Sequence, residues 1–119
     1  MFSMEWVKYL DTSKHTLIVL AGVLQYFTKE RIIHFIRQIQ SRIPKCEMIF
    51  DATDSIGLKR ANQFVRKTGN LNAEMYFAID NPYEFAKDAN TKLLSVSGFF
   101  TDALKQCRGL KLISKIMMF

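Results

Sequence analysis

The chain has 119 residues, of which 49% are hydrophobic, so it can form one compact domain and is too short for two. Its net charge of +6 favours anionic partners only weakly, and no apolar run approaches the ~20 residues needed to span a bilayer. The two cysteines, Cys46 and Cys107, fit no zinc or redox spacing. We therefore expect a single cytoplasmic domain with reduced thiols.

The first predicted element is a short helix over Ser3–Leu10. Ser3 is a suitable N-cap, and apolar residues recur after it at helical spacing. A polar turn separates this helix from the apolar run TLIVLAGV at Thr16–Val23. Such a run is typical of a parallel strand that is covered on both faces. Ligands of open α/β sheets bind at the carboxyl ends of strands, so Ala21–Tyr26 is the first candidate site.

A strand–helix–strand unit is predicted next. Thr28 caps a helix that ends near Arg42, and Pro44 prevents its continuation. The second strand is Glu47–Ala52. Because a crossover through one helix is right-handed, the two strands form a parallel pair. The inward stripe of the helix consists of Ile32, Ile33, Phe35, Ile36, Ile39 and Ile43.

The second half of the chain predicts another helix over Ile56–Lys67, which ends before Gly69. Its inward residues are predicted to be Leu58, Ala61, Phe64 and Val65.

Three strands and one helix follow in the prediction. They are a short strand at Met75–Ile79, a helix at Pro82–Lys87, and an antiparallel strand pair formed by Leu93–Phe100 and Leu110–Phe119.

The order and register of two segments indicate a family. Ala21–Tyr26 reads AGVLQY, a helix follows, and Met48–Asp51 reads MIFD. This resembles the second half of the leucine carboxyl methyltransferase family, which includes the tetracenomycin-type polyketide O-methyltransferases. The resemblance implies an α/β fold equivalent to the C-terminal half of a Rossmann-like class I methyltransferase sheet, with parallel strands followed by an antiparallel pair. Residues 1–119 would then be one truncated methyltransferase-like domain.

The same resemblance implies an O-methyltransferase that uses S-adenosylmethionine and acts on a carboxylate or hydroxyl of a small molecule. Gly22 and Tyr26 would line the methyl-donor pocket. The chain departs from the family at Ala21, where an acidic residue is usual, and it contains no G-x-G motif. We therefore expect a half-domain that is inactive alone. Without the resemblance, Gly22 is a turn residue and Tyr26 packs at the surface.

The resemblance also has a consequence for Thr16–Val23, which would lie in the middle of a complete sheet. In this chain one edge of that strand has no predicted partner, and a bare apolar edge promotes association. We expect a second copy in a homodimer, a separate chain carrying the first half, or the N-terminal segment to cover it.

Other candidate residues have alternative explanations. Asp51 and Asp54 end the second strand, where they can act as acid and base, bind a cation or cap the next helix. His15 and His34 have no predicted partner and are expected at the surface.

A basic helix face is predicted from Lys59, Arg60, Arg66 and Lys67. It indicates either a solvated surface or a small nucleic-acid-binding domain, and the latter needs exposed aromatic residues nearby. A third possibility is a self-associating module without catalysis. Nucleic acid is the least favoured partner, and no membrane partner is expected.

Overall fold

The computed structural model describes residues 1–98. Within this range the chain is a mixed α/β structure with two strands, three α-helices and short 3-10 turns. The strands are β1 (Thr16–Leu20) and β2 (Cys46–Phe50), and the helices are α1 (Lys29–Arg42), α2 (Ser55–Thr68) and α3 (Pro82–Asp88). The 3-10 helices are Glu5–Tyr9, Leu24–Tyr26 and Leu71–Ala73.

The two strands form a parallel pair, as predicted, with α1 as the crossover between them. Their register runs from Thr16 opposite Cys46 to Leu20 opposite Phe50. Both strands end earlier than the predicted Thr16–Val23 and Glu47–Ala52. For β1 the cause is Gly22, whose φ of +66° turns the chain away from the sheet.

Helix α1 agrees with its prediction at both ends. Thr28 is the N-cap, and its Oγ1 accepts from the backbone N–H of Arg31 at 3.4 Å. The helix ends at Arg42, two residues before Pro44. Its buried residues are Ile32, Phe35, Ile36 and Ile39, with Ile43 buried just beyond its end.

The core consists of two clusters that share α1. One contains Leu24, Ile32, Ile36, Phe77, Phe85 and Ala89 and joins the helix to the second half of the chain. The other contains Met4, Phe35, Ile39 and Ile43 and joins the helix to the N-terminal segment. Half-buried side chains of both strands pack against these clusters, so the inner face of the sheet is covered by α1.

The predicted N-terminal helix is shorter and tighter than expected. It is the 3-10 helix Glu5–Tyr9, and Ser3 is not its N-cap. Met4 holds that position in a left-handed conformation (φ 59°), and its side chain is only 1% exposed. Burial of this apolar side chain therefore determines the local conformation, and the capping preference of Ser3 does not.

Helix α2 is capped as predicted but packs differently. Its C-terminal stop is Gly69, whose φ of +77° gives the left-handed cap. Leu58, Ala61 and Val65 are half-buried, whereas Phe64 is 69% exposed. The prediction that Phe64 faces inward is wrong, and none of the residues of α2 is fully buried.

The outer face of the two-stranded sheet is bare within residues 1–98. Leu17 and Val19 of β1 and Ile49 of β2 are each more than half exposed. The prediction that β1 is covered on both faces is therefore wrong for the described part of the chain. An unbroken apolar run indicates strand formation, but it does not specify which of its two faces is covered.

Residues 75–79 and 93–98 differ from the prediction because neither segment is in a strand. In the first segment, the backbone N–H groups of Tyr76 and Phe77 donate to the carbonyl of Gln25, and that of Ile79 donates to the carbonyl of Thr53, so none of these bonds goes to a strand. Helix α3 agrees with its prediction, with Pro82 in its first turn and Asn81 as its N-cap. The predicted strand Leu110–Phe119 lies outside the described residues.

Candidate functional site

The candidate site is the edge where the carboxyl ends of β1 and β2 meet. Gly22 lies there in the left-handed region, and a Cβ built on it would have only Gln25 Nε2 within 4 Å, at 3.9 Å. The space around Gly22 is thus open. Glycine is required for the backbone turn and not for a close approach.

Asp51 joins the two strand ends. Its Oδ1 accepts from the backbone N–H of Gly22 at 2.7 Å, across 29 residues of sequence. Asp54 instead caps α2, since its Oδ1 accepts from Gly57 N–H at 2.6 Å. The two carboxylates therefore do not share a site, and capping is confirmed for Asp54 alone. The Asp51–Gly22 contact was missed because its partners are distant in sequence.

Tyr26 lies in the 3-10 helix Leu24–Tyr26, and 43% of it is exposed. Leu24 is completely buried in the core and anchors this helix. The carbonyl of Gln25 accepts from the backbone N–H groups of Tyr76 and Phe77, at 2.7 and 3.2 Å. These bonds attach the 3-10 helix to the second half of the chain, while part of Tyr26 stays exposed to solvent.

Residues 74–80 cross the carboxyl ends of both strands. Besides the two bonds to Gln25, Ile79 N–H donates to the carbonyl of Thr53 at 2.8 Å. Asn62 of α2 makes two further bonds, since it accepts from Met75 N–H at 2.8 Å and donates to Met75 O at 2.7 Å. This segment therefore forms one wall of the site and connects it to α2.

The end of that segment is fixed by a carboxylate. The hydroxyl of Ser55 donates to Asp80 Oδ2, and the backbone N–H of Ser55 donates to Asp80 Oδ1 at 2.8 Å. The hydroxyl bond and then the backbone bond hold the pKa of Asp80 below its ordinary value of 3.8. Asp80 is thus an ionised carboxylate that binds the first residue of α2.

A surface hollow lies next to α3 and not at the predicted site. It borders Lys29, whose Nζ contacts Asp88 Oδ2 at 2.6 Å. Neither Gly22 nor Tyr26 lines it. The remaining lining residues are Ala78, Ile79, Asp80, Asn81, Glu84 and Phe85.

The two histidines lie away from the candidate site. His15 precedes β1 at the opposite end of the sheet, and its Nε2 is 3.8 Å from Glu47 Oε1, with both side chains largely exposed. His34 is exposed on α1. Their predicted surface location is confirmed.

Among residues 1–98, the surroundings of Cys46 do not activate its thiol. Burial and then the charge of Glu47 raise the pKa of its thiol, which keeps it protonated. The other cysteine, Cys107, is outside the described residues.

On the basic face of α2, Arg66 is neutralised by Glu74, with Arg66 Nε 3.1 Å from Glu74 Oε1. Lys59, Arg60 and Lys67 stay exposed, and so does Phe64. An exposed aromatic residue therefore lies on this helix, contrary to the prediction.

Comparison of the chain with protein-family models, curated proteins and solved structures finds no match. Among residues 1–98, no cluster of three or more potential metal ligands occurs. In the same range, no helix is both long and apolar enough to cross a membrane.

Proposed function

We propose that this chain is an O-methyltransferase-like half-domain that contributes part of an S-adenosylmethionine site and is inactive alone. The observation that supports it is the parallel β1–α1–β2 unit, whose carboxyl ends meet at Gly22. Strand ends of this kind are where open α/β sheets bind nucleotide-like ligands. The acceptor is a carboxylate or hydroxyl of a small molecule, and the compartment is the cytoplasm.

The polar groups at the site fit a contributory role. The family usually has an acidic residue at the position of Ala21, but here the carboxylate next to the turn is that of Asp51. Together with the exposed part of Tyr26, it provides a polar and an aromatic contact for the donor. The G-x-G turn that cradles the rest of such a cofactor is absent from these 119 residues and has to come from another polypeptide segment.

The test is a titration of the isotope-labelled chain with S-adenosylmethionine, followed by NMR and by isothermal calorimetry on the same sample. We expect weak, millimolar binding that shifts the amide signals of Gly22 and Tyr26. Methionine alone is the control ligand, and it should shift these signals less. Absence of shifts at residues 21–26 would contradict a donor site at these residues. Micromolar affinity would contradict the proposal that the chain holds only part of the site.

A second candidate function is a self-associating module without catalysis. It is favoured by the second edge of β1, where no described strand is paired. Since this function needs no cofactor, the titration separates it from the first.

A further inference from the structure

The second edge of β1 presents free backbone groups within the described part of the chain. Thr16 N–H donates to the carbonyl of Lys45 at 2.8 Å, so Thr16 points its backbone groups towards β2. Because these groups alternate in direction along a strand, Ile18 and Leu20 also bond to β2. The N–H and C=O of Leu17 and Val19 therefore point to the open edge.

We propose that this edge binds a second copy of the chain, through an antiparallel pairing of β1 with β1 about a two-fold axis at Ile18. In this register Leu17 lies opposite Val19 of the other copy. Residues directly opposite in a hydrogen-bonded antiparallel pair exchange both bonds. The two Leu17–Val19 pairs thus form four hydrogen bonds, which use every free backbone group of the edge.

The side chains suit the same register. Leu17 and Val19 form apolar cross-strand pairs on the bare outer face, and such pairs stabilise a sheet. Neither charge nor proline, the usual protection of an edge strand, occurs in Thr16–Leu20. The pairing thus juxtaposes no like charges along β1.

The N-terminal segment of the chain does not compete for the outer face. Phe2, Trp6 and Val7 pack in the same cluster as Ile18 and Leu20, on the α1 side of the sheet. Leu17 and Val19 point to the other side and are 54% and 62% exposed. Within residues 1–98, this segment therefore leaves the outer face of β1 uncovered.

The test is sedimentation velocity over a range of concentrations. The unmodified chain should form a dimer that dissociates on dilution, because a pairing of five-residue strands is small. The double variant Leu17→Lys with Val19→Lys places lysines opposite each other twice. We expect it to raise the dimer dissociation constant at least about tenfold.

A charge-swapped variant tests the register itself. In Leu17→Lys with Val19→Glu, each lysine lies opposite a glutamate of the other copy, so dimerisation should return towards that of the unmodified chain. The matched control is Ile49→Lys, which adds a charge to the same face but on β2, away from the edge. Equal loss of dimer in both double variants would overturn the register.

Hydrogen exchange of the unmodified chain keeps the test independent of the variants' folding. The amides of Leu17 and Val19 should become protected as concentration rises and exchange rapidly in the dilute monomer. A monomer at all concentrations would overturn the proposal. Protection of these amides that persists at full dilution would also overturn the proposal, because another segment of the same chain would then be paired with this edge.

This proposal does not depend on methyl-donor binding. If the chain dimerises but S-adenosylmethionine shifts no amide signals, the pairing stands and the methyltransferase-like function is overturned. If S-adenosylmethionine shifts the signals of a chain that stays monomeric, the function stands and the pairing is overturned.

Discussion

Helices α1 and α2 have the same length, 14 residues, and each is amphipathic and capped at its N-terminus by a side chain. Their packing is nevertheless different. Four residues of α1 are buried, whereas α2 has none. Helix α1 contributes to both core clusters, whereas α2 contributes to neither and is joined to residues 74–80 by the two hydrogen bonds between Asn62 and Met75. Equal amphipathic patterns thus lead to unequal burial, because tertiary partners decide which stripes are covered.

The comparison is tested most strongly by two phenylalanines. Phe35 of α1 is 1% exposed and its ring centroid lies 5.2 Å from that of Phe2, so Phe35→Ala should lower the free energy of unfolding by about 3–5 kcal/mol. Phe64 of α2 is 69% exposed, and Phe64→Ala should change the free energy of unfolding by no more than about 0.5 kcal/mol. Urea denaturation measures both, and similar losses would show that α2 is buried as deeply as α1.

A smaller effect is expected at the polar attachment of α2. Asn62→Ala leaves both backbone groups of Met75 without their partner, which should cost about 1–3 kcal/mol. The exposed neighbour Gln63→Ala is the control and should have little effect. Hydrogen exchange should show faster opening of residues 74–80 in the Asn62 variant only. Equal exchange in both variants would contradict a polar attachment.

The two N-caps provide the next comparison. Removal of either side chain should cost about 1 kcal/mol, as is usual for caps. The Asp54–Gly57 bond is shorter, 2.6 Å against 3.4 Å for Thr28–Arg31, so Asp54→Ala should cost more than Thr28→Ala. Thermal unfolding of both single variants measures the difference. A larger loss for Thr28→Ala would mean that the bond lengths do not rank the caps.

The smallest effect concerns pH. The pKa of Asp80 is held below 3.8 by Ser55, so its contribution to stability is complete above that value and is lost as the pH falls through the lower folded pKa. In Ser55→Ala the backbone bond remains, and the pKa should rise only part of the way back. An NMR titration of the Asp80 carboxyl group measures this, and an unchanged pKa would exclude the hydroxyl as the main cause.

Local signals in the sequence were sufficient for α1 and for the parallel pair. The Thr28 cap, the isoleucine stripe and Pro44 are each adjacent to the feature they determine. The Asp54 cap and the Gly69 stop were predictable for the same reason. These signals act over one to four residues, so they can be recognised without tertiary information.

Long-range contacts were not predictable in this way. The Asp51–Gly22 bond joins residues 29 apart, and no local pattern specifies it. Residues 75–79 have the composition of a strand, but Tyr76, Phe77 and Ile79 donate their N–H groups to the carbonyls of Gln25 and Thr53. The exposure of Phe64 likewise depends on what packs against α2. Donor binding at Gly22 and Tyr26 stays a prediction.

The hydrogen bonds between α1 and the end of α3 have a consequence for synthesis on the ribosome. Gln40 donates to the carbonyl of Asn90 across 50 residues. At about 5–20 residues per second, the chain between these two residues takes a few seconds to make. Until Phe77 and Phe85 are made, Ile32 and Leu24 lack the residues with which they later form a core cluster. This part of the core around α1 therefore forms only after Phe85 has been synthesised.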